Sequence, residues 1–280
     1  MNGEIDTKQI AEVQQEVQSI YQSTFPHGHR AFVPDAFGWA NDCFTGNYRD
    51  YQPIDALYHD QEHTLQVTLC MARLLRGWHL AKEQPVLTQR MFELGIMAIL
   101  LHDTGYLKKR GDNEGTGAKY TLIHVERSRQ FAEELMVEKK FSADEIKSVQ
   151  NMIRCTGVND DLASIPFQSE LERRAGFALG TADLLGQMAA HDYIEKLPVL
   201  YSEFAESVEY NKTGTSRTMF ISAHDLIQKT PAFWEKFVRA KIAGDFQNVY
   251  RFLNDPYPDG PNDYINRIEE NIARLRQQLH

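Results

Sequence analysis

The chain is 280 residues long, 42% hydrophobic and 25% charged, with a formal net charge of -9. That length supports a substantial core without covalent staples, and the acidic balance argues against an extended nucleic-acid surface, which needs a positive face to meet phosphates. The three cysteines, Cys43, Cys70 and Cys155, are odd in number and widely spaced, which argues against a disulfide framework or a cysteine zinc site.

The first eighteen residues are polar and acidic, without the basic and apolar regions of a secretion signal. The longest apolar stretch lies around residues 95–101, far short of the roughly 20 residues that cross a bilayer. The expectation is a soluble, cytoplasmic protein with no membrane partner.

Helical periodicity dominates. Residues 26–38 read as irregular. Met91, Leu94, Ala98 and Leu101 follow steps of three and four and make one apolar stripe. Residues 107–119, rich in glycine and charge, read as a long loop of the kind that often carries function. Phe131, Leu135 and Met136 continue a stripe on a helix starting near Thr121. Ser142 with Glu145, ahead of Ile146, Val149 and Ile153, predicts a capping box. Residues 171–188 and 193–208 read as two further helices, and residues 220–228, 231–250 and 262–279 complete the chain, with an irregular stretch at 255–262. Pro231 after Thr230 suits a first helical position with a threonine cap. No alternating β-branched run or Asn-Gly turn appears. The expected fold is all-α: residues 1–50 form an N-terminal helical extension, 51–215 a core, and 216–280 C-terminal helices packed on it, one structural domain overall.

Three places carry chemistry. His59 and His63 are four residues apart, so a helix would put them on one face, which Val67, Cys70 and Leu74 extend into the core. A histidine pair at that spacing is more often surface decoration or an ordinary hydrogen-bonded pair. His102 and Asp103 end the apolar helix, where both can reach one ion or two neighbouring ions; the plainer reading is a cap and a dipole partner. Asp183 stands in an apolar run, where a carboxylate is costly to bury unless paired or bound to a cation. His191-Asp192 and His224-Asp225 repeat the dipeptide by chance.

The order His63, His102-Asp103, Asp183 on successive helices resembles the HD superfamily of metal-dependent phosphohydrolases. Tyr58-His59-Asp60-Gln61-Glu62-His63 also resembles a segment of its cyclic-nucleotide phosphodiesterase branch, although Asp60 stands where that branch has asparagine. The resemblance spans residues 58–187, about half the chain. It implies an HD-type helical bundle in which His63, His102, Asp103 and Asp183 bind metal, and His59 protonates the leaving oxygen. It also implies a role for His124 at a second metal or the substrate phosphate. Lys119, near His124 in sequence, is the candidate phosphate contact among the loop cations Lys108, Lys109, Arg110 and Lys119; Glu114 could orient a water or a histidine.

Two imidazoles and two carboxylates suit a first-row divalent ion, Mn, Fe, Co, Ni or Zn, and Mg fits an oxygen-rich second position beside Asp103. The expected reaction is hydrolysis of a phosphomonoester or phosphodiester, possible substrates including nucleotides, by a metal-activated water. The aromatic-rich residues 193–210 and 220–237 pack helices, wall a pocket or form a dimer face. Two alternatives stay open. One is a di-iron oxygenase of the same superfamily, disfavoured because residues 153–156 lack a second extra histidine. The other is a non-catalytic binding or regulatory protein on the same scaffold.

Overall fold

In a computed structural model, residues 5–157, 161–211 and 220–279 are described. The described residues hold eleven α-helices joined by loops and short 3-10 or π turns, and strand pairing among them is limited to an isolated bridge between Tyr51 and Lys109. The fold is all-α, as the periodicity indicates. The expected boundary between core and C-terminal helices, residues 215 and 216, lies outside the described residues.

Helices α1 (Ile10–Thr24) and α2 (Phe32–Phe44) lie against the inner helices α3 (Gln61–Ala81) and α4 (Gln89–Leu101). In α4 every residue from Met91 to Leu101 is buried, more than the single stripe expected. A helix apolar on all sides belongs inside a protein. Thr88 caps it by accepting from the Met91 N–H at 3.2 Å.

Helices α5 (His124–Glu138), α6 (Ala143–Ile153) and α7 (Glu170–Met188) close the core over α4 and α3. The capping box at α6 is complete: Ser142 and Glu145 bond each other's backbone N–H. The pairing of α3 with α7 is the most extensive in the molecule. Gly186 permits it, because a Cβ there would come within 2.8 Å of the Val67 Cα. Then α8 (Tyr193–Tyr210), α9 (Ala223–Phe233), the short α10 (Arg239–Ala243) and α11 (Asp263–Leu279) follow. One continuous apolar cluster runs from Val13 to Leu275. Among the described residues no helix is long and apolar enough to cross a membrane.

Three local expectations are corrected. The stretch 26–38 is partly helical, because Pro34 falls in the first turn of α2, where its missing N–H has no intrahelical duty. Pro231 does not open a helix. It lies inside α9, whose cap is Ser222, and Thr230 turns its hydroxyl onto the Leu226 carbonyl at 2.8 Å. The chain continues through a wide π turn, Trp234–Val238, one of the ways a helix absorbs an interruption. The helix expected to reach residue 250 stops at Gly244, and Gln247 and Asn248 adopt positive φ.

A fourth correction bears on chemistry. Helix α3 starts at Gln61, capped by Asp60, whose Oδ1 accepts from the His63 N–H at 2.8 Å. His59 therefore precedes the helix and does not share a helical face with His63. Aspartate at this position takes up one orphan donor of the first turn, and that ends the helix two residues short of His59.

Candidate metal centre

Helix α3 delivers His63, the C-terminal end of α4 delivers His102 and Asp103, and α7 delivers Asp183. The structure brings all four together. His63 Nε2 and His102 Nε2 each lie 3.2 Å from Asp103 Oδ2, and 3.4 and 3.6 Å from Asp183 Oδ1. His63, His102 and Asp103 are buried, with ligand atoms within 4.8 Å of one another.

These separations fit a cation. A first-row divalent ion holds nitrogen and oxygen ligands at about 2.1 Å, which puts neighbouring ligand atoms about 3.0 Å apart at right angles and about 3.4 Å apart in a tetrahedron. Charge-assisted hydrogen bonds are shorter, about 2.7–2.9 Å. His63 Nε2, His102 Nε2 and Asp103 Oδ2 also have no hydrogen-bond partner despite their burial. Each such orphan costs about 1–3 kcal/mol, and three converging on one place call for a shared partner.

The tautomers agree with this. His102 Nδ1 donates to the Ile99 carbonyl at 2.7 Å, one turn back on its own helix, so the lone pair falls on Nε2. Among themselves the four groups interact strongly. Burial alone would depress the His63 imidazolium, but Asp103 and Asp183 outweigh it and raise it to about 9. His102 moves the same way, while both carboxylates are held well below the usual carboxylate range by the two histidines despite burial.

Neighbouring side chains fix the candidate ligands. Tyr58 donates its hydroxyl to Gln187 Oε1 at 2.9 Å, and Gln187 Nε2 donates to the Asp183 carbonyl at 3.0 Å and Oδ1 at 3.4 Å. The turn after Asp103 is pinned to α5: the Gly105 N–H donates to Ser128 Oγ, and Arg127 donates to the Gly105 and Leu107 carbonyls. Gly105 is required there, since a Cβ would sit 2.0 Å from the His124 carbonyl oxygen.

His124 and His59 lie at the edge of the candidate ligand set. His124 Nδ1 donates to the Thr121 carbonyl at 2.6 Å, which leaves Nε2 3.8 Å from Asp103 Oδ1. Asp103 thus offers one oxygen to the four-residue point and the other to His124. Burial holds the His124 imidazolium below its usual range. His59 Nδ1 donates to Glu203 Oε2 on α8 at 2.6 Å. The Tyr106 ring lies against both imidazoles, at 4.5 Å from His59 and 4.8 Å from His124.

Lys119 is elsewhere. Its buried ammonium is bonded to Asp112 and to the Glu114 carbonyl, and rests over the Tyr120 and Tyr210 rings. None of these partners belongs to the ligand set, so its charge is already matched within the loop. Lys108 is likewise buried and paired with Asp55 at 2.7 Å, whereas Lys109, Arg110 and Glu114 are exposed. The sequence reading missed Glu203, Gln187, Tyr106 and Glu206. Glu206 holds the loop by accepting from the Thr116 N–H and hydroxyl. The available signal was Glu203 and Glu206 three apart on an aromatic helix, but nothing in sequence tied either to its partner.

A family model described as Npun_R2479-like matches the chain over residues 5–114 and 110–254. No curated protein matches it.

Proposed function

The chain belongs to the Npun_R2479-like family, and we propose that this member is a divalent-metal-dependent phosphohydrolase, similar to the HD superfamily, that cleaves a phosphomonoester or phosphodiester. The observation that carries the reading is the convergence of His63 Nε2, His102 Nε2 and Asp103 Oδ2, each buried and without a hydrogen-bond partner, with Asp183 Oδ1 completing the set.

His63, His102, Asp103 and Asp183 would hold the ion. Bound there, it would supply a more acidic water and neutralise phosphoryl charge. His59 has its Nδ1 proton committed to Glu203, so its Nε2 is the atom free to hand a proton to a leaving oxygen, the usual work of a positioned histidine. Asp103 Oδ1 and His124 Nε2 offer a second oxygen-and-nitrogen position. Gln187 and Tyr58 keep Asp183 in place while charge redistributes.

The test is the metal content of purified wild type and Asp103→Ala by elemental mass spectrometry, followed by a phosphoester screen under the ion found. Stoichiometric metal that Asp103→Ala loses, with phosphatase or phosphodiesterase turnover, is the expected result. Two irons per chain would move the reading to the oxygenase. No uptake of Mn, Fe, Co, Ni or Zn would leave a helical binding protein.

A further inference from the structure

Tyr106 is fully buried and ends the short 3-10 turn that follows Asp103. A buried tyrosine usually finds a hydrogen-bond partner for its hydroxyl, yet this one has none. What Tyr106 does offer is the flat of its ring. The His59 imidazole lies on it with centroids 4.5 Å apart and planes 10° from parallel, and the His124 imidazole at 4.8 Å and 24°. The two imidazoles are 6.3 Å from each other, so a single ring stacks with both.

Hydrogen bonding alone does not fix either histidine. Each makes its side-chain hydrogen bond through Nδ1, His59 to Glu203 and His124 to the Thr121 carbonyl. Each also keeps part of its side chain in solvent, 14% and 20%. One hydrogen bond holds one ring nitrogen and lets the imidazole pivot about it. A stacked neighbour removes that pivot, because a tilt opens a gap on one side and forfeits the contact. Nε2 of each ring is then fixed as well.

The Tyr106 ring is itself referenced to Asp103. The Tyr106 N–H donates to the Asp103 carbonyl at 3.1 Å and closes the turn. Gly117 lies so near that a Cβ there would come 2.1 Å from the Tyr106 carbonyl oxygen. Arg127 holds the carbonyls on either side, those of Gly105 and Leu107.

We propose that Tyr106 is a positioning residue, whose ring sets the His59 and His124 imidazoles at a fixed offset from Asp103. Its consequence for rate rests on the phosphohydrolase reading, in which His59 protonates the leaving oxygen. A reacting group displaced by about 1 Å can cost about 10²-fold. The ring makes the contacts, so phenylalanine fills the role and an aliphatic side chain does not.

The experiment uses the full chain as wild type, Tyr106→Phe and Tyr106→Leu. Chelated protein is read first, by NMR of the imidazole protons, assigned with His59→Gln and His124→Gln. Protons held over an aromatic face move upfield. Those of His59 and His124 should lie upfield of their ordinary positions in wild type and Tyr106→Phe, and move back in Tyr106→Leu. Mn-loaded protein is read second, on phenyl phosphate and p-nitrophenyl phosphate. Nitrophenolate leaves without needing a proton, so a misplaced acid slows the phenyl ester selectively. Tyr106→Leu should lose about 10²-fold in kcat on the phenyl ester, far less on the nitrophenyl ester, and no metal. Tyr106→Phe should recover the loss.

Ordinary proton positions in wild type would overturn the placement, as would upfield positions that a natively folded Tyr106→Leu leaves unchanged. Should Tyr106→Leu not fold, the wild-type His124 protons decide alone. Equal losses on the two esters would make Tyr106 a core side chain only, overturning the proposal and leaving the phosphohydrolase reading standing. The expected shifts with no turnover of either ester would support the placement and count against the phosphohydrolase reading.

Discussion

His59 Nδ1 lies 2.6 Å from Glu203 Oε2, joining residues 144 positions apart. The carboxylate is buried, and its other oxygen accepts from the Tyr58 N–H at 2.7 Å. One side chain on α8 therefore orients the imidazole and the backbone that presents it.

Glu203→Gln should lower kcat by about 10²-fold, the low end of what a positioned acid contributes, with metal content unchanged. Burial alone would raise the Glu203 carboxyl, but His59 and the Tyr58 N–H hold it below its usual value. The stability it contributes is present above about pH 4.3, the ordinary glutamate value, and is lost as pH falls through the lowered native value. Urea midpoints measured from pH 5 to pH 3 should fall further in wild type than in Glu203→Gln. Equal declines would show that the pair contributes nothing.

Metal uptake should displace protons. After chelation, His63 is held up to about 9 by its carboxylate neighbours. That raised value stabilises the fold fully below about pH 6.5, the unperturbed histidine value, and the contribution disappears as pH climbs through about 9. The Tm of chelated protein should thus drop between pH 6.5 and 9, while Mn-loaded protein holds its Tm there. Calorimetry in two buffers of different ionisation enthalpy should show proton release on binding. A buffer-independent heat would count against His63 as a ligand.

Gln187→Leu should weaken metal affinity by about 10–100-fold, as removal of a ligand's supporting hydrogen bond does, without unfolding the chain. The readout is the dissociation constant from chelator competition. An unchanged constant would mean that Asp183 is held by its helix alone.

Ser142→Ala, at the N-cap of α6, a helix that contributes none of the four clustered residues, should cost about 1 kcal/mol of stability through loss of the capping box. Metal stoichiometry should not move. Urea denaturation followed by circular dichroism measures the first, and elemental analysis the second.

The helices and the order of His63, His102, Asp103 and Asp183 could be read in sequence because each sits beside a periodic apolar run that fixes its helix and its inward side. His59 was misplaced by one geometric assumption: its i,i+4 spacing to His63 matters only inside a helix, and Asp60 ends the helix first. Lys119 looked like a solvated loop cation that could reach a phosphate, yet the loop folds back so that Asp112 and two tyrosine rings enclose it. Glu203 and Gln187 were invisible for another reason. Their partners are far along the chain, and a carboxylate or amide on an amphipathic helix has the same local pattern whether it meets water or a histidine. The Thr230-Pro231 pair reads as a helix start, yet α9 runs from Ala223 through Pro231 and the backbone widens into a π turn only afterwards.

Helix α8 acts as a ruler. Glu203 grips the 58–59 segment, Glu206 grips Thr116, and Asn211 Nδ2 donates to the Lys119 carbonyl at 3.2 Å. On the α8 side, the offset between the histidine segment and the glycine-rich loop is therefore set by helical pitch: a step of three positions from Glu203 to Glu206, about 4.5 Å of rise. The loop tip can change length without disturbing that offset. Deleting one residue between Glu203 and Glu206 would swing the second grip by about 100° and leave the loop to its ties with Gln52 and Asp55.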